Sequence, residues 1–567
     1  MYWENERLAF FVTFDVNRPQ IMKINYYRIL CLASLALAAG CKQETKETNT
    51  ITGDEIKSHI AVLANDSLMG RKPFTEGETK AIAYISSQMK KIGLEPGNNG
   101  SYFQEVPMVE ITSTPSATMN VSGAKGNISL NYMTDFVAST RQEVPSVQLT
   151  NSPLVFAGYG VVAPEYHWND YAGLDVKGKT VVVLVNDPGH KSGGSLFKGD
   201  TMTYYGRWTY KYEEAARQGA AGIIIVHQTE PASYGWSVVA NSFTGAKLYL
   251  QEKDKHMSRC KVEGWMTEDA AKKLFAAAGI TGDFRAMAAK KDFKAIPLNM
   301  NATLTVNTKL KYSTSHNVIG LLKGNTSPEE CVLYTAHWDH LGIGKPDAKG
   351  DSIYNGAVDN ASGVAAILSV AKAFTQLKEK PKRSVVFLAV TAEEQGLLGS
   401  EYYASHPIFA LNKTVADLNM DALGSYGETN DFAITGKGQN DLEDYVAEFI
   451  KADGKKVVGD KNPGAGGYYR SDHFNFAKVG VPALDMNNGA ESTAHGEAYG
   501  KEKQKEYGEQ HYHQPSDSYS ADMDASGMAQ VANLLFKVGE KLANETTFPG
   551  WKNGSEFKAV REKSMGK

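Results

Sequence analysis

Cysteine is scarce in this chain of 567 residues, which has four: Cys31, Cys41, Cys260 and Cys331. The first two fall in an N-terminal segment with the composition of a targeting signal, so only Cys260 and Cys331 belong to the main body. A disulfide-dense scaffold is therefore excluded. Cys260 and Cys331 also lack the close spacing of a thiolate metal site, and nothing in the sequence indicates a disulfide between them.

The chain also lacks a large excess of charge of either sign. It has 60 basic and 64 acidic residues, and its net charge is −4. Without a basic field, we expect no nucleic-acid partner. Hydrophobic residues make up 42% and charged residues 22%, which is typical of globular proteins and excludes a disordered or fibrous chain. The length allows two to four domains.

No segment is apolar over the ~20 residues that a membrane-spanning helix needs. The run Ile29–Ala39 is almost wholly apolar but has only eleven residues. Basic residues Lys23 and Arg28 precede it and small residues follow it, which is the pattern of a secretory signal. We therefore expect residues 1–40 to be a leader with signal peptide, translation to start at Met22, and residues 41–52 to form a polar tether.

The end of this signal resembles a bacterial lipobox, Leu37-Ala38-Ala39-Gly40-Cys41, although Ala38 stands where leucine is commonest. The resemblance implies that Cys41 is lipidated and anchors the protein to a membrane. It also implies an exported lipoprotein on the periplasmic side or the surface of a bacterial membrane, most often the outer membrane. The alternative is cleavage by an ordinary signal peptidase, without a lipid.

The main body alternates short buried strands with helices. Such alternation predicts an α/β fold with a mostly parallel central sheet and helices on both faces. The spacing of apolar residues also predicts two helices between residues 53 and 95. The strands are predicted at Asn317–Leu322, Cys331–Ala336, Val385–Val390 and Val415–Met420, and helices at Val364–Leu377 and Met528–Leu542.

Histidine and acidic residues follow three of these strands directly. His337 follows the second strand, the pair Glu393-Glu394 follows the third, and Asp421 follows the fourth. Ligands of open α/β sheets gather beyond the carboxyl ends of the strands. We therefore expect these side chains to meet in one crevice, together with Asp359 before a helix and His513 from a late loop.

Two imidazoles and three carboxylates can hold two zinc ions if one carboxylate bridges, with the ions about 3.5–4 Å apart. Neighbouring side chains after a strand point opposite ways, so one of Glu393 and Glu394 can bind metal while the other acts as a base. Taken singly, each feature has a simpler explanation, such as a solvated acidic pair or a helix N-cap at Asp359. Their common order along the chain favours the metal site.

The residues around these positions carry a family resemblance. Together they resemble metallopeptidase family 28, which contains co-catalytic zinc aminopeptidases and relatives of glutamate carboxypeptidase. The similarity is close over residues 312–545 and loose over 54–146. The matching motifs are Ala336–Gly342, Asp359–Gly363, Glu393–Gly396, Asn419–Asp421, Ser471–His473 and Tyr512-His513.

The resemblance implies a role for each residue in a zinc-dependent exopeptidase that removes N-terminal residues from peptides. Two Zn²⁺ are implied: His337 and Asp421 hold one, Glu394 and His513 hold the other, and Asp359 bridges them. Glu393 is the implied general base, and Asp339 orients the imidazole of His337. Tyr468 resembles a tyrosine that assists the oxyanion in some relatives, although Tyr469 is equally well placed and either can be an ordinary packed aromatic.

Residues 147–305 have their own strand, helix, strand pattern and resemble a protease-associated domain. The stretches that match are Phe156–Val162, the strand before Asp187, and Glu214–Val226. We therefore expect a peptidase domain in two pieces, 53–146 and 306–548, with this insert between them and a C-terminal tail at 549–567.

Three alternatives stay open from the sequence. A glutamate carboxypeptidase-like enzyme would bind the C-terminal carboxylate of its substrate with arginine side chains. Arg470 is one candidate for such an arginine. A glutaminyl cyclase would hold one zinc ion, and a non-catalytic binding protein would have lost ligands. The residue specificity, the oligomeric state and the metal used in the cell are not given by the sequence, because cobalt or manganese can occupy the same ligands.

Overall fold

The computed structural model of the chain describes residues 50–566, so the predicted leader, Cys41 and most of the tether lie outside the described residues. Helices and strands alternate along most of this part. The helices are α1 (Gly53–Leu63), α2 (Glu76–Ile92), α3 (Trp208–Arg217), α4 (Thr229–Ala232), α5 (Trp236–Ser242), α6 (Glu268–Ala278), α7 (Phe284–Ala288), α8 (Ser362–Thr375), α9 (Leu398–Ser405), α10 (Leu442–Lys451), α11 (His473–Lys478), α12 (Gly496–Glu506), α13 (Ser526–Asn544) and α14 (Lys558–Ser564). The strands are β1 (Glu95–Pro96), β2 (Phe103–Pro115), β3 (Thr118–Gly123), β4 (Gly126–Asn131), β5 (Phe136–Ser139), β6 (Ser146–Phe156), β7 (Val162–Ala163), β8 (Trp168–Asn169), β9 (Thr180–Leu184), β10 (Gly222–His227), β11 (Ala246–Leu250), β12 (Val262–Thr267), β13 (Ile296–Leu322), β14 (Ser327–His337), β15 (Gly342–Ile343), β16 (Ile353–Tyr354), β17 (Arg383–Val390), β18 (Thr414–Asn419), β19 (Asp431–Ile434), β20 (Lys456–Val458) and β21 (Ala483–Asn488).

The two predicted N-terminal helices are present as α1 and α2. Threonine side chains start both: Thr52 accepts a hydrogen bond from the main chain of Glu55, and Thr75 accepts one from Gly77. Gly93, with a φ of 96°, ends α2 in the left-handed conformation that glycine adopts without strain. Capping of this kind makes the helix boundaries readable from the sequence.

The C-terminal half is built on a sheet whose centre is parallel. β14 pairs in parallel with β17 on one side and β18 on the other, and β18 pairs in parallel with β21. β13 joins β17 antiparallel, and β19 joins β21 antiparallel. Because β14, β17 and β18 run the same way, their carboxyl ends meet at one edge of the sheet.

Apolar side chains of this sheet are buried on both faces. In β14, Val332 and Tyr334 pack towards α1, α2, α8 and α13, whereas Cys331 and Leu333 pack on the other face towards Tyr403 of α9 and Phe476 of α11. Strands covered on both sides read as continuous apolar runs, which is how the sequence predicted them. The predicted α/β class, with a mostly parallel sheet and helices on both faces, is confirmed.

Helix α8 lies at the centre of this core. The stretch Ala357–Thr375 is long and apolar enough to cross a membrane by length and composition, but 94% of it is buried inside the fold. A helix that is apolar all round belongs in the interior of a large domain, and this one packs between the sheet and helices α1 and α13.

A second group of parallel strands, joined to the same sheet through β13, lies in the region of the predicted insert. β6, β9, β10 and β12 pair in parallel in that order, and β5 adds an antiparallel edge. Its two faces carry separate apolar clusters. This core also takes in β3, β4 and β5, which lie before the predicted start of the insert at residue 147, because β5 pairs with β12 and Met119 and Leu130 pack against the insert.

Strand β13 connects the two regions. It runs without a break from Ile296 to Leu322, across the predicted boundary at residues 305 and 306. Its first part pairs with β3 and β6, and its last part with β17 of the central sheet. The backbone pairing of β13 therefore continues across residues 305 and 306. The domain boundary at this point stays a prediction.

Candidate metal centre

The candidate site lies at the carboxyl ends of β14, β17 and β18. His337 is the last residue of β14, opposite Val390 of β17. The pair Glu393-Glu394 follows β17 by two residues, and Asp421 follows β18 by one. Since the strands are parallel, the chain directions alone bring these side chains to one edge of the sheet.

The structure brings the five predicted ligands into two groups that share Asp359. In the first group, Nε2 of His337 lies 3.2 Å from Oδ1 of Asp359 and 3.2 Å from Oδ1 of Asp421. In the second group, Nε2 of His513 lies 3.2 Å from Oδ2 of Asp359 and 3.2 Å from Oε2 of Glu394. Asp359 thus turns one carboxylate oxygen to each group.

These distances fit metal ligands. Tetrahedral zinc binds nitrogen and oxygen at about 2.0–2.1 Å, so two ligand atoms on one ion are about 3.3 Å apart. Imidazole and carboxylate are also the ligands that zinc prefers at catalytic sites. Each group offers three ligand atoms, which leaves a fourth tetrahedral position for water or substrate.

Glu393 stands beside the first group. Its Oε2 lies 4.0 Å from Nε2 of His337, farther than the carboxylates of Asp359 and Asp421. Burial raises the pKa of Glu393 well above its usual range; the positive charge of His337 opposes this rise, and the negative charge of Asp421 adds to it. A buried carboxyl with a raised pKa, next to candidate ligands, is suited to accept and return a proton.

Asp339 supports the site in a different way from the one predicted. The main-chain carbonyl of Asp339, not its carboxylate, lies closest to Nδ1 of His337, at 3.1 Å against 3.8 Å. Because a carbonyl can only accept, Nδ1 carries the proton and Nε2 is free to face the carboxylates. The Asp339 carboxylate instead accepts the main-chain N–H of Glu393, at 3.0 Å.

Asp517 holds the main chain beside Asp359, whose carboxylate is shared by the two groups. The sequence did not lead to a prediction of this residue. Its two oxygens accept the main-chain N–H groups of Val358, at 2.9 Å, and Asp359, at 3.0 Å. Asp517 is buried, and burial raises its pKa. Its position four residues after His513 was the available signal, since both lie on the same late loop.

Arg71 is a second missed residue, far from the motifs in sequence. Its guanidinium is fully buried and donates to four main-chain carbonyls. Burial lowers its pKa to about 10, so it stays charged at neutral pH. Because two of these carbonyls lie beside ligand segments, Arg71 ties the His337 and Asp359 segments together. The four acceptors are Leu63, Trp338, Asn355 and Gly356.

Asp421 is held by the predicted Ser471-Asp472-His473 segment. The Ser471 hydroxyl donates to Oδ2 of Asp421 at 2.6 Å, and the Asn419 amide donates to the Ser471 hydroxyl at 2.9 Å. This bond uses the carboxylate oxygen that does not face His337. His473 is buried against Tyr468 instead of joining the ligands.

Tyr468 lies in an aromatic cluster with Tyr469 and Phe557, and its hydroxyl has no hydrogen-bond partner within residues 50–566. These contacts give no support to a role at the oxyanion. Tyr512 lies closer to the ligands: its ring stacks on His513 at 3.8 Å and is 47% exposed. Burial and the carboxylates of the site, Asp359 first, raise the pKa of Tyr512.

A cavity of about 1140 Å³ opens beside the ligands. Val358 and Ala422, the neighbours in sequence of Asp359 and Asp421, are among the residues that line it. Tyr426, Asp460 and Lys461 also line it. The cavity is large enough for an extended peptide or a similar ligand.

The similarity to known proteins agrees with this site. Residues 317–538 match the model of peptidase family M28. The chain is 32% identical to aminopeptidase NAALADL1 of Mus musculus over 132 residues, which are 22% of this chain and 16% of that protein. It is 29% identical to aminopeptidase YwaD of Bacillus subtilis strain 168 over 235 residues, which are 40% of this chain and 45% of that protein.

The chain thus spans less than half the length of these curated relatives. Among solved structures, an aminopeptidase from Aneurinibacillus sp. strain AM-1 is similar over 88% of this chain and 96% of its own, with a TM-score of 0.46 and 22% identity. The resemblance drawn from the motifs is confirmed at the level of the family, and residues 317–538 are a domain of peptidase family M28.

Proposed function

We propose that this protein is a zinc-dependent exopeptidase that removes N-terminal residues from peptides and uses two Zn²⁺. The observation that carries the proposal is Asp359, whose two oxygens lie 3.2 Å from His337 on one side and 3.2 Å from His513 on the other. The names of the aminopeptidase relatives favour the N-terminal end of the substrate.

His337, Asp359 and Asp421 would hold one ion, and His513, Asp359 and Glu394 the other. Zinc bound there would polarise the scissile carbonyl and lower the pKa of the attacking water towards neutrality. Glu393 would accept a proton from the attacking water and return it to the leaving amine, a role that requires a carboxyl able to release protons near neutral pH. The raised pKa of Glu393 supports this role.

We assign the contact to the oxyanion to Tyr512 in preference to Tyr468. A phenol donates usefully to developing negative charge only if its hydroxyl reaches the reacting carbonyl. Tyr512 stacks on the ligand His513 and is partly exposed, whereas Tyr468 is buried among aromatic side chains.

The experiment that tests the proposed function compares substrates blocked at opposite ends. Aminoacyl p-nitroanilides should be hydrolysed, and N-acetylated versions of the same compounds should not, with two zinc ions bound per chain. A purified, zinc-loaded protein that hydrolyses none of a broad aminoacyl panel would contradict the proposal. Equal hydrolysis of free and acetylated substrates would contradict the N-terminal preference.

One observation favours a second candidate, a carboxypeptidase. Arg207 and Arg470 lie against the same turn: the Cδ of Arg207 is 3.5 Å from where a Cβ of Gly466 would be, and Arg470 donates to the carbonyl of Ala465 at 2.9 Å. Within residues 50–566, Nε of Arg207 has no hydrogen-bond partner, and the nearby charge of Arg470 adds to the effect of burial in lowering the pKa of Arg207. Two guanidinium groups can bind a carboxylate. Cleavage of N-acetylated peptides with a free C-terminus, but not of their amides, would establish this candidate.

We also propose that the protein is exported and held at a membrane by a lipid on Cys41, and that residues 147–305 are a protease-associated insert. The lipobox supports the anchor, and the parallel sheet β6, β9, β10 and β12 with a helix between strands supports the insert. Metabolic labelling with palmitate in a bacterial host tests the anchor. The Cys41→Ser variant should lose the label and enter the soluble fraction, and label retained by that variant would contradict the proposal.

A further inference from the structure

His340 is a buried imidazole at the metal centre to which no role has been given above. It lies three residues beyond the end of β14 and is completely buried. The structure brings it together with Asp359 and Glu394, with one ligand-type atom of each residue within 4.8 Å of the others. Gly356 makes room for the ring, because a Cβ there would lie 2.7 Å from Cγ and Cδ2 of His340.

The contact that defines its role is with Glu394. Nδ1 of His340 lies 2.6 Å from Oε1 of Glu394, while Oε2 of the same carboxylate lies 3.2 Å from Nε2 of His513. The two oxygens of one carboxylate are thus divided between two imidazoles, whose rings are 5.7 Å apart at 69°.

Among the residues that the structure describes, Glu394 is the only acidic residue within ion-pair distance of the His340 ring. Within residues 50–566, neither ring nitrogen makes a well-aligned hydrogen bond, and Oε1 of Glu394 has none either. Burial keeps water away from both groups, and buried polar groups are normally hydrogen-bonded. Nδ1 of His340 and Oε1 of Glu394, 2.6 Å apart, are therefore placed to bond to each other. A small rotation of either side chain, as on binding an ion, would align Nδ1–H with Oε1.

We propose that His340 is a positioning residue for the second metal position: it holds Oε1 of Glu394, so that Oε2 stays directed at the ion shared with Asp359 and His513. This inference rests on the proposed zinc site. Ligating carboxylates are commonly hydrogen-bonded in turn, and loss of such a partner costs about 10–100-fold in metal affinity. At the first position, with His337 and Asp421, the hydroxyl of Ser471 takes the corresponding place and donates to the free oxygen of Asp421.

The test measures Zn²⁺ binding to the full chain in zinc-buffered equilibrium dialysis. His340→Ala should weaken one of the two zinc equivalents by about 10–100-fold and leave the other unchanged. His340→Asn should restore most of this loss, because its Nδ2 takes nearly the place of the imidazole Nδ1 and can donate to Oε1. The control is His227→Ala, which removes another buried imidazole from β10, away from the ligands.

The outcomes separate this inference from the proposed function. A wild-type chain that binds no zinc would contradict the proposed function itself. A wild-type chain with two zinc equivalents, and a His340→Ala variant with the same two affinities, would overturn the role of His340 alone. Equal losses in the alanine and asparagine variants would also overturn it, because a hydrogen-bond donor would then bring no rescue.

Discussion

Replacing Glu393 by glutamine tests the centre of the proposed chemistry. Glutamine keeps the size of the side chain and the main-chain bond from residue 393 to Asp339, at 3.0 Å, but it cannot accept a proton as a carboxylate does. The Glu393 carboxylate lies 4.0 Å from Nε2 of His337, whereas Asp359 and Asp421 lie at 3.2 Å. The variant should therefore keep both zinc ions.

A positioned general base contributes about 10²–10⁴-fold to the rate, which corresponds to about 3–5 kcal/mol in the activation free energy. We expect Glu393→Gln to lower kcat/KM on leucyl p-nitroanilide by that factor, with two zinc ions per chain measured by atomic emission. The matched control is Glu401→Gln on the exposed face of α9, which should behave as wild type.

Two results would refute this reasoning. A variant with two zinc ions and more than a tenth of wild-type activity would show that Glu393 is not the base. A variant that has lost a zinc ion would show that Glu393 is a ligand of the first position, where it lies with His337 and Asp421.

Four further changes test the support of the site. Asp359→Ala removes the oxygens shared by both ligand groups and should leave less than one zinc ion per chain by atomic emission; two retained ions would contradict the bridge. Arg71→Met removes the buried hydrogen bonds to four main-chain carbonyls. The free energy of unfolding, measured in urea, should fall by at least about 3 kcal/mol. A loss below about 1 kcal/mol would argue against the role of Arg71 in holding these segments together. Tyr512→Phe should lower kcat about 10²–10³-fold with little change in KM, and Tyr468→Phe should not; equal kinetics of the two variants would refute the choice of Tyr512 over Tyr468. Burial lowers the pKa of His473 to about 3, below the ~6.5 of the unfolded chain, so protons bind the unfolded state first and stability is lost as pH falls from about 6.5 towards 3. In zinc-free protein, His473→Gln should therefore remove about 2 kcal/mol of the stability difference between pH 7 and pH 5, measured by urea unfolding, and an unchanged difference would contradict the shift.

The positions of His337, Asp359, Glu394 and Asp421 could be predicted because each follows a recognisable strand or precedes a helix, whereas His513, in a late loop, was assigned from its motif. β-branched and apolar runs marked β14, β17 and β18, and parallel strands must present their carboxyl ends together. Helix boundaries were equally accessible where Thr52, Thr75 and Gly93 cap the chain locally. These signals are short-range, so a single sequence contains them.

Two supports of the ligands, Arg71 and Asp517, were not predicted, because their contacts join segments that are distant in the sequence. Arg71 reaches the carbonyl of Trp338, 267 positions along the chain, and Asp517 reaches the main chain of Asp359, 158 positions away. No local pattern marks an arginine that donates only to main-chain carbonyls. The pairing of β5 with β12 is another contact between segments that are distant in the sequence, and no local pattern marks it.

The arrangement of these supports follows from the charge that the crevice contains. Burial raises the pKa of Asp339 to about 7 and that of Asp485 to about 7, so the carboxylates around the ligands are costly to ionise together. A folded pKa above the unfolded one means that stability falls as pH rises from about 4 to 7, and the full cost applies above that range. The buried charge of Arg71 offsets part of the cost, and bound cations would offset more. Such a site cannot be held by apolar packing alone, because ionised groups need donors. The donors found here are main-chain N–H groups, the Ser471 hydroxyl and imidazoles, so the orientation of each ligand depends on neighbouring residues that are not themselves ligands.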